Sequence, residues 1–185
     1  MEMEKIVTQA VIETQRFDLR PVRKSDMGLI EMYTSDLRVA RMTQSIPHPI
    51  PPGSTEAFVT RAMADDRDED VWVMDGLKTD RAEVMGLISL ARMDRNQSEG
   101  GYWVAPHFWN TGLASDAVEA LVHANPMRND TMFASVFQDN PASFFSFPSF
   151  PFFYFFFRWC CSPPPPLPPS EIHSHRRVCG VGPST

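Results

Sequence analysis

Pro106-His-Phe-Trp-Asn-Thr-Gly-Leu-Ala-Ser-Asp-Ala-Val-Glu-Ala-Leu-Val-His123 decides how this chain folds. Leu113, Ala117, Val118 and Leu121 fall on one helical face, while Asp116 and Glu119 point elsewhere, so a helix starts near Gly112. Before it, Glu99-Gly-Gly-Tyr-Trp-Val-Ala105 has the composition of a strand, and after it Thr131-Met-Phe-Ala-Ser-Val-Phe137 has the same. Strand, helix and strand at this spacing make a βαβ crossover, which implies parallel pairing of the two strands.

Working outward, Val71-Trp-Val-Met74, a turn at Asp75-Gly76, Val84-Met-Gly-Leu-Ile-Ser-Leu90 and a turn over 94–98 lead into the strand at Glu99, giving a three-stranded antiparallel meander. Nearer the start, Phe17 and Leu19 alternate with Arg16, Asp18 and Arg20, the period of a half-buried strand, which Pro21 closes. Ser25-Asp26 caps an amphipathic helix predicted to run to about Arg41 on Leu29, Ile30, Met32, Tyr33 and Leu37. The prolines of Ile46-Pro-His-Pro-Ile-Pro-Pro-Gly53 allow only a stiff loop, in which His48 reads as exposed or as lining a cleft. Ser54 is expected to cap a second helix carrying Phe58, Val59, Ala62 and Met63, which ends in the acidic run over 65–70. That run reads as a solvated helix end, since it lacks the spacing of a calcium loop.

Composition divides the chain near Ser143. From Phe144 to Thr185 the sequence holds 9 of the 14 Phe, 9 of the 17 Pro and all three Cys, yet only four charged residues. Removing that segment's three Arg and one Glu from 17 basic and 23 acidic residues leaves 14 against 22, a net of −8 for the front piece. A negative front piece argues against nucleic-acid binding, which needs a basic patch. No basic region followed by an apolar one marks a secretory signal near Met1, and no stretch reaches the roughly 18 apolar residues of a membrane helix, so residence in the cytoplasm is expected. The pairs Cys160-Cys161 and His173-Ser-His175 with Cys179 lack zinc-site spacing, and no metal site is expected.

The bend Asn110-Thr-Gly-Leu-Ala-Ser115 can carry chemistry. A helix entered there presents backbone N–H groups without partners inside the helix, at the positive end of its dipole. Such an end binds phosphate, and the small residues Gly112 and Ala114 let a pyrophosphate approach the main chain. A glycine at a helix start also serves as ordinary capping, and Trp72, Trp103 and Trp109 read first as core or cleft-wall residues.

The order of elements resembles the GNAT N-acetyltransferase superfamily, and more narrowly the branch of the ribosomal-protein-alanine acetyltransferases. The resemblance is carried by Glu13-Thr-Gln-Arg-Phe-Asp-Leu-Arg-Pro21, Ile46-Pro-His-Pro49, Val84-Met-Gly86, Gly101-Tyr-Trp-Val104, Phe108-Trp-Asn-Thr-Gly-Leu-Ala-Ser-Asp-Ala117 and Asp139-Asn-Pro-Ala-Ser143. It implies an α/β (α+β) fold with a mixed, mostly antiparallel sheet, flanking helices and a βαβ acetyl-CoA unit. Trp109-Asn-Thr-Gly-Leu-Ala114 is similar to the family's Q/R-x-x-G-x-G/A motif, with Trp109 in place of Gln or Arg and Asn110 where this branch commonly has Gly. The resemblance further implies that acetyl-CoA is the co-substrate, held by main-chain N–H groups of Asn110, Thr111, Gly112, Leu113, Ala114 and Ser115. Trp103 and Val104 would pair with the pantetheine arm, Trp109 counts among the coenzyme-binding residues, and Asn140 and Ser143 would face the thioester. By the same analogy the N–H of Val104 is the oxyanion donor, Glu99 moves a proton through water, and Ser143 is the acid near the thiolate. Glu99 reads first as a solvated turn residue, and Ser143 equally as a helix N-terminal residue.

After Ser143 the likeness stops. The family continues with an amphipathic helix and two more strands, whereas Phe144-Phe-Ser-Phe-Pro-Ser-Phe-Pro-Phe-Phe-Tyr-Phe-Phe-Phe157 has prolines where a helix needs donors, and Ser162-Pro-Pro-Pro-Pro-Leu-Pro-Pro169 is a polyproline II tract. The domain is therefore expected over 1–143, lacking its usual last helix and strands, with a low-complexity tail over 144–185 of the kind an out-of-frame reading or a substituted exon would leave. Poor folding and aggregation through the Phe tract are expected. Three functions follow: an N-acetyltransferase acting on a primary amine such as a protein N-terminus or a small amine; a catalytically impaired CoA-binding relative; and a tail acting as a ligand for proline-binding grooves or as a membrane adhesive. A homodimer is left open.

Overall fold

The computed structural model describes residues 9–43 and 46–134, and the backbone of 153–155. Chain order is β1 (Ile12–Glu13), β2 (Asp18–Pro21), α1 (Met27–Thr34), α2 (Leu37–Ala40), α3 (Ser54–Ala62), β3 (Glu69–Asp75), β4 (Gly86–Met93), β5 (Gln97–Val104), α4 (Leu113–Ala124), β6 (Thr131–Ala134) and β7 (Phe153–Phe155). The strands form one sheet in the order β1 to β7, antiparallel as far as β5 and parallel thereafter. The meander and the crossover through α4 are thus as the sequence predicts.

The sheet is buried on both faces, so β3 is apolar at four successive positions, Val71 to Met74, rather than at alternate ones. Along β3, Trp72 and Met74 join Phe17, Leu19, Ile88 and Leu90 beneath Leu113, Ala117, Val118 and Leu121 of α4. Val71 and Val73 face the other way, against Ile30 of α1 and Val59 and Ala62 of α3. α4 covers one face, and α1 with α3 covers the other. Between β4 and β5, Gly86 sits where the backbones press close: a Cβ there would lie 2.4 Å from the carbonyl oxygen of Trp103 and 3.0 Å from Cα of Val104.

Several boundaries differ from the sequence reading, each for a local reason. The single helix expected over 26–41 is broken: a 3-10 turn at Lys24–Asp26 precedes α1, and the Asp36 carboxylate accepts from the N–H of Arg38 at 2.8 Å to start α2 afresh. A side chain that satisfies backbone donors from outside the helix competes with continuing it. Gly53, at φ +79°, occupies the cap position expected for Ser54, and α3 ends at Ala62, before the acidic run. That run is not wholly solvated either. Asp70 lies in β3, 4% exposed, with Arg67 at 2.5 Å and Arg92 at 3.4 Å from its carboxylate. β2 begins at Asp18 because residues 14–17 close a turn, β4 begins at Gly86 after a bend, and β5 reaches back to Gln97. β7, from inside the Phe-rich segment, adds a strand to a sheet that the sequence reading ended at the 131 strand. Phe153–Phe155 contain no proline, and aromatic residues favour strands. No described helix is long and apolar enough to cross a membrane.

Candidate active site

The bend between β5 and α4 has the conformation that the phosphate-binding reading requires. Asn110 at φ +60° and Gly112 at φ +77° turn the chain sharply into a helix of twelve residues. A branched side chain would be strained at either position, whereas Gly is free there and Asn tolerates it. The first helical bond runs from the N–H of Asp116 to the Gly112 carbonyl at 3.0 Å. The six main-chain N–H groups of Asn110, Thr111, Gly112, Leu113, Ala114 and Ser115 have no acceptor among the described residues. Asn110, Thr111 and Gly112 are exposed, and the buried Leu113 side chain anchors the helix start from beneath. Unsatisfied donors at the positive end of a dipole fit the diphosphate of coenzyme A.

The β5–β6 pairing described runs from Gln97 to Gly100, and no described strand pairs with the same edge at Val104. The carbonyl of Val104 faces away from β4, since Ala105 rather than Val104 bonds across to Met85, and it accepts from Nε1 of Trp109 at 2.7 Å. In a strand the N–H and C=O of one residue share an edge, so the Val104 N–H points to the same side. Trp109 therefore spends its donor on the strand whose pairing with a pantetheine arm the sequence suggests. Its ring carries the guanidinium of Arg38 at 5.9 Å from the centroid. Arg38 also donates from Nη2 to Asp36 at 2.6 Å, and these bonds, with the N–H of Arg38, hold the Asp36 carboxyl down at about 2, well below the usual carboxylate range. Trp103 lies on the other face of β5, half-buried and tilted at 55° to Tyr33 with centroids 6.3 Å apart.

Of the remaining predicted residues, those described are not gathered at the bend. Glu99 is half-buried on β5 opposite Phe133. Five steps along the strand separate it from Val104, roughly 16 Å at about 3.3 Å per residue. Asn140 and Ser143 lie outside the described residues. His48 is exposed in the proline loop.

One contact was not predicted. Arg16 Nη1 donates to the Thr111 carbonyl at 2.9 Å and to Asp116 Oδ2 at 2.8 Å, from the far side of the sequence. Periodicity cannot find a partner so distant in sequence; the only signal was that Arg16 belongs to the Thr-Gln-Arg-Phe stretch carrying the family resemblance.

A family model described as an acetyltransferase (GNAT) domain matches residues 16–144. A search of curated proteins finds no match. Among solved structures, an acetyltransferase of the GNAT family from Bacillus anthracis is similar at 21% identity and a TM-score of 0.61, covering 74% of this chain and 80% of that one. The spermidine N-acetyltransferase of Vibrio cholerae, solved with CoA and spermine, aligns at 16% identity and 0.60, covering 72% and 78%. Mycobacterium smegmatis RimJ, solved with CoA-disulfide, aligns at 18% and 0.56, covering 70% and 66%. These likenesses bear on the fold. Since the family model spans most of the chain and the bend with its free N–H groups lies within it, the chain belongs to the acetyltransferase (GNAT) family.

Proposed function

We propose that this protein is an acetyl-CoA-dependent N-acetyltransferase whose acceptor is a primary amine, a protein N-terminus or a small polyamine-like molecule. The observation that carries the reading is the run of six N–H groups from Asn110 to Ser115 without an acceptor among the described residues, beside the β5 edge that the Val104 N–H faces. The net charge of −8 on the front piece, from 14 basic and 22 acidic residues, favours a cationic acceptor.

Acetyl-CoA supplies a thioester, whose acyl carbon is the electrophile. The N–H groups of the bend hold its diphosphate, and the first turn of α4 adds its dipole. The Val104 N–H donates to the acyl oxygen as negative charge develops there, a donor fixed in a strand and needing no reorganisation. An amine attacks only when neutral, so a base must take its proton. Glu99 has that role in this proposal, and its distance from Val104 demands a chain of waters rather than direct contact. Ser143 returns a proton to the thiolate.

Thiol release from acetyl-CoA across a panel of spermidine, lysine derivatives and N-terminal peptides tests the reading. Turnover with at least one amine is expected, and its absence with all of them in a chain that binds CoA supports the second reading, a CoA-binding relative without transferase activity. What favours that alternative is the Trp109 indole on the Val104 carbonyl, which occupies an acceptor on the strand edge.

A further inference from the structure

Arg16 has no part in the reaction as described, yet it is held more carefully than a surface arginine needs. Thr14 Oγ1 donates to the Phe17 carbonyl at 2.6 Å and accepts from the N–H groups of Arg16 at 3.3 Å and Phe17 at 3.2 Å, closing the turn that presents Arg16. The Arg16 carbonyl accepts from Thr79 Oγ1 at 2.9 Å, so a second segment fixes its backbone. From this base Nη1 alone reaches the bend before α4, donating to the Thr111 carbonyl and the Asp116 carboxylate.

Both contacts bear on an anion. In a trans peptide the C=O of Thr111 and the N–H of Gly112 point in opposite directions, so fixing the carbonyl toward Arg16 aims the Gly112 N–H away from it, into solvent. Asp116 stands in the first turn of α4, where its charge steadies the helix but opposes a second anion at the same end. The guanidinium at 2.8 Å cancels that charge. The guanidinium lies close against Gly112, where a Cβ would sit at contact distance, 3.7 Å from Nη1.

We propose that Arg16 is a positioning residue for the coenzyme A diphosphate, aiming the Gly112 N–H through the Thr111 carbonyl and neutralising Asp116 beneath the anion. This rests on the acetyl-CoA reading above. It predicts a loss confined to the part of the ligand that carries phosphate.

The full chain and its variants are titrated calorimetrically with CoA and with pantetheine, which lacks the diphosphate. Arg16→Gln is expected to weaken CoA about tenfold and pantetheine less than twofold, because the lost charge and aim concern only the phosphates. Arg16→Lys, which keeps the charge, recovers most of the CoA affinity. Asp116→Asn keeps or tightens CoA binding, since it removes the opposing anion while its amide oxygen still accepts from Arg16. Equal losses for CoA and pantetheine in Arg16→Gln, or unchanged CoA binding, overturn the proposal. Should Arg16→Gln not fold, Asp116→Asn decides: a weakening of CoA as large as tenfold means that the pair only braces the helix. If the unaltered chain takes up no CoA, the acetyl-CoA reading fails and this inference with it; uptake that ignores Arg16 overturns this inference alone.

Discussion

The clusters around Arg16 and Arg20 begin four residues apart and occupy different sides of the sheet. Arg20 is 4% exposed and bonds to Asp26 through both Nη atoms at 2.8 and 2.9 Å and to Asp75 through Nε at 2.5 Å, tying β2 to the start of α1 and the end of β3. Burial opposes its charge, but the bonds it donates to Asp26 and Asp75 outweigh that and push the guanidinium up. Arg16, with a side chain 35% exposed, meets a single carboxylate that is itself 38% exposed, beside donors with no acceptor. A buried arginine surrounded by acceptors is consumed by the fold. One at the surface, next to unsatisfied N–H groups, has charge left for a ligand.

That contrast orders the expected effects. Arg20→Ala strands Asp26 and Asp75 in the interior, and a loss of about 3 to 5 kcal/mol in urea or thermal unfolding is expected, the cost of breaking a buried pair by removing one partner. A loss below about 1 kcal/mol would place the Arg20 cluster with the surface pairs. Gly86→Ala drives a methyl into the backbone of Trp103 and Val104, which cannot rotate away as a side chain could, and costs about 1 to 3 kcal/mol. It also weakens acetyl-CoA turnover by displacing the Val104 N–H. Gly112→Ala forces a side chain to φ +77° and costs about 1 to 2 kcal/mol, with a further loss of CoA affinity that separates it from a purely structural change. The smallest effect concerns Asp36, whose folded carboxyl titrates at about 2, below its ordinary value of 3.8. A depressed folded value stabilises above the ordinary one and is lost as pH falls toward 2. Acid unfolding of Asp36→Asn should therefore depend less on pH between about 4 and 2 than that of the unaltered chain, and identical curves would refute the assignment.

Much of this architecture was legible because burial imposes a period. Leu113, Ala117, Val118 and Leu121 announce α4, and turn residues around Asp75-Gly76 and 94–98 announce the meander. The break between α1 and α2 was not, since the apolar pattern runs through Leu37 while the interruption comes from one carboxylate bonding backward to the backbone. Asp70 was hidden for the opposite reason: its neighbours in the acidic run are surface residues, and only the approach of Arg67 and Arg92 makes its burial tolerable. At the candidate site, Asn110 and Gly112 marked the bend through their tolerance of positive φ. The reach of Arg16 to Thr111, across 95 residues, leaves no trace in spacing. Nor did the sequence show that Trp109 would turn its indole back onto Val104.

The central claim is that main-chain N–H groups at the start of α4 receive the diphosphate of coenzyme A. Amide hydrogen exchange of the full chain with and without CoA tests it most directly. The account predicts slowed exchange at Asn110 to Ser115 and at Val104 on adding CoA, with exchange in α3 unchanged. Binding that leaves those amides exchanging at their free rate, or no binding by a folded chain, would contradict it.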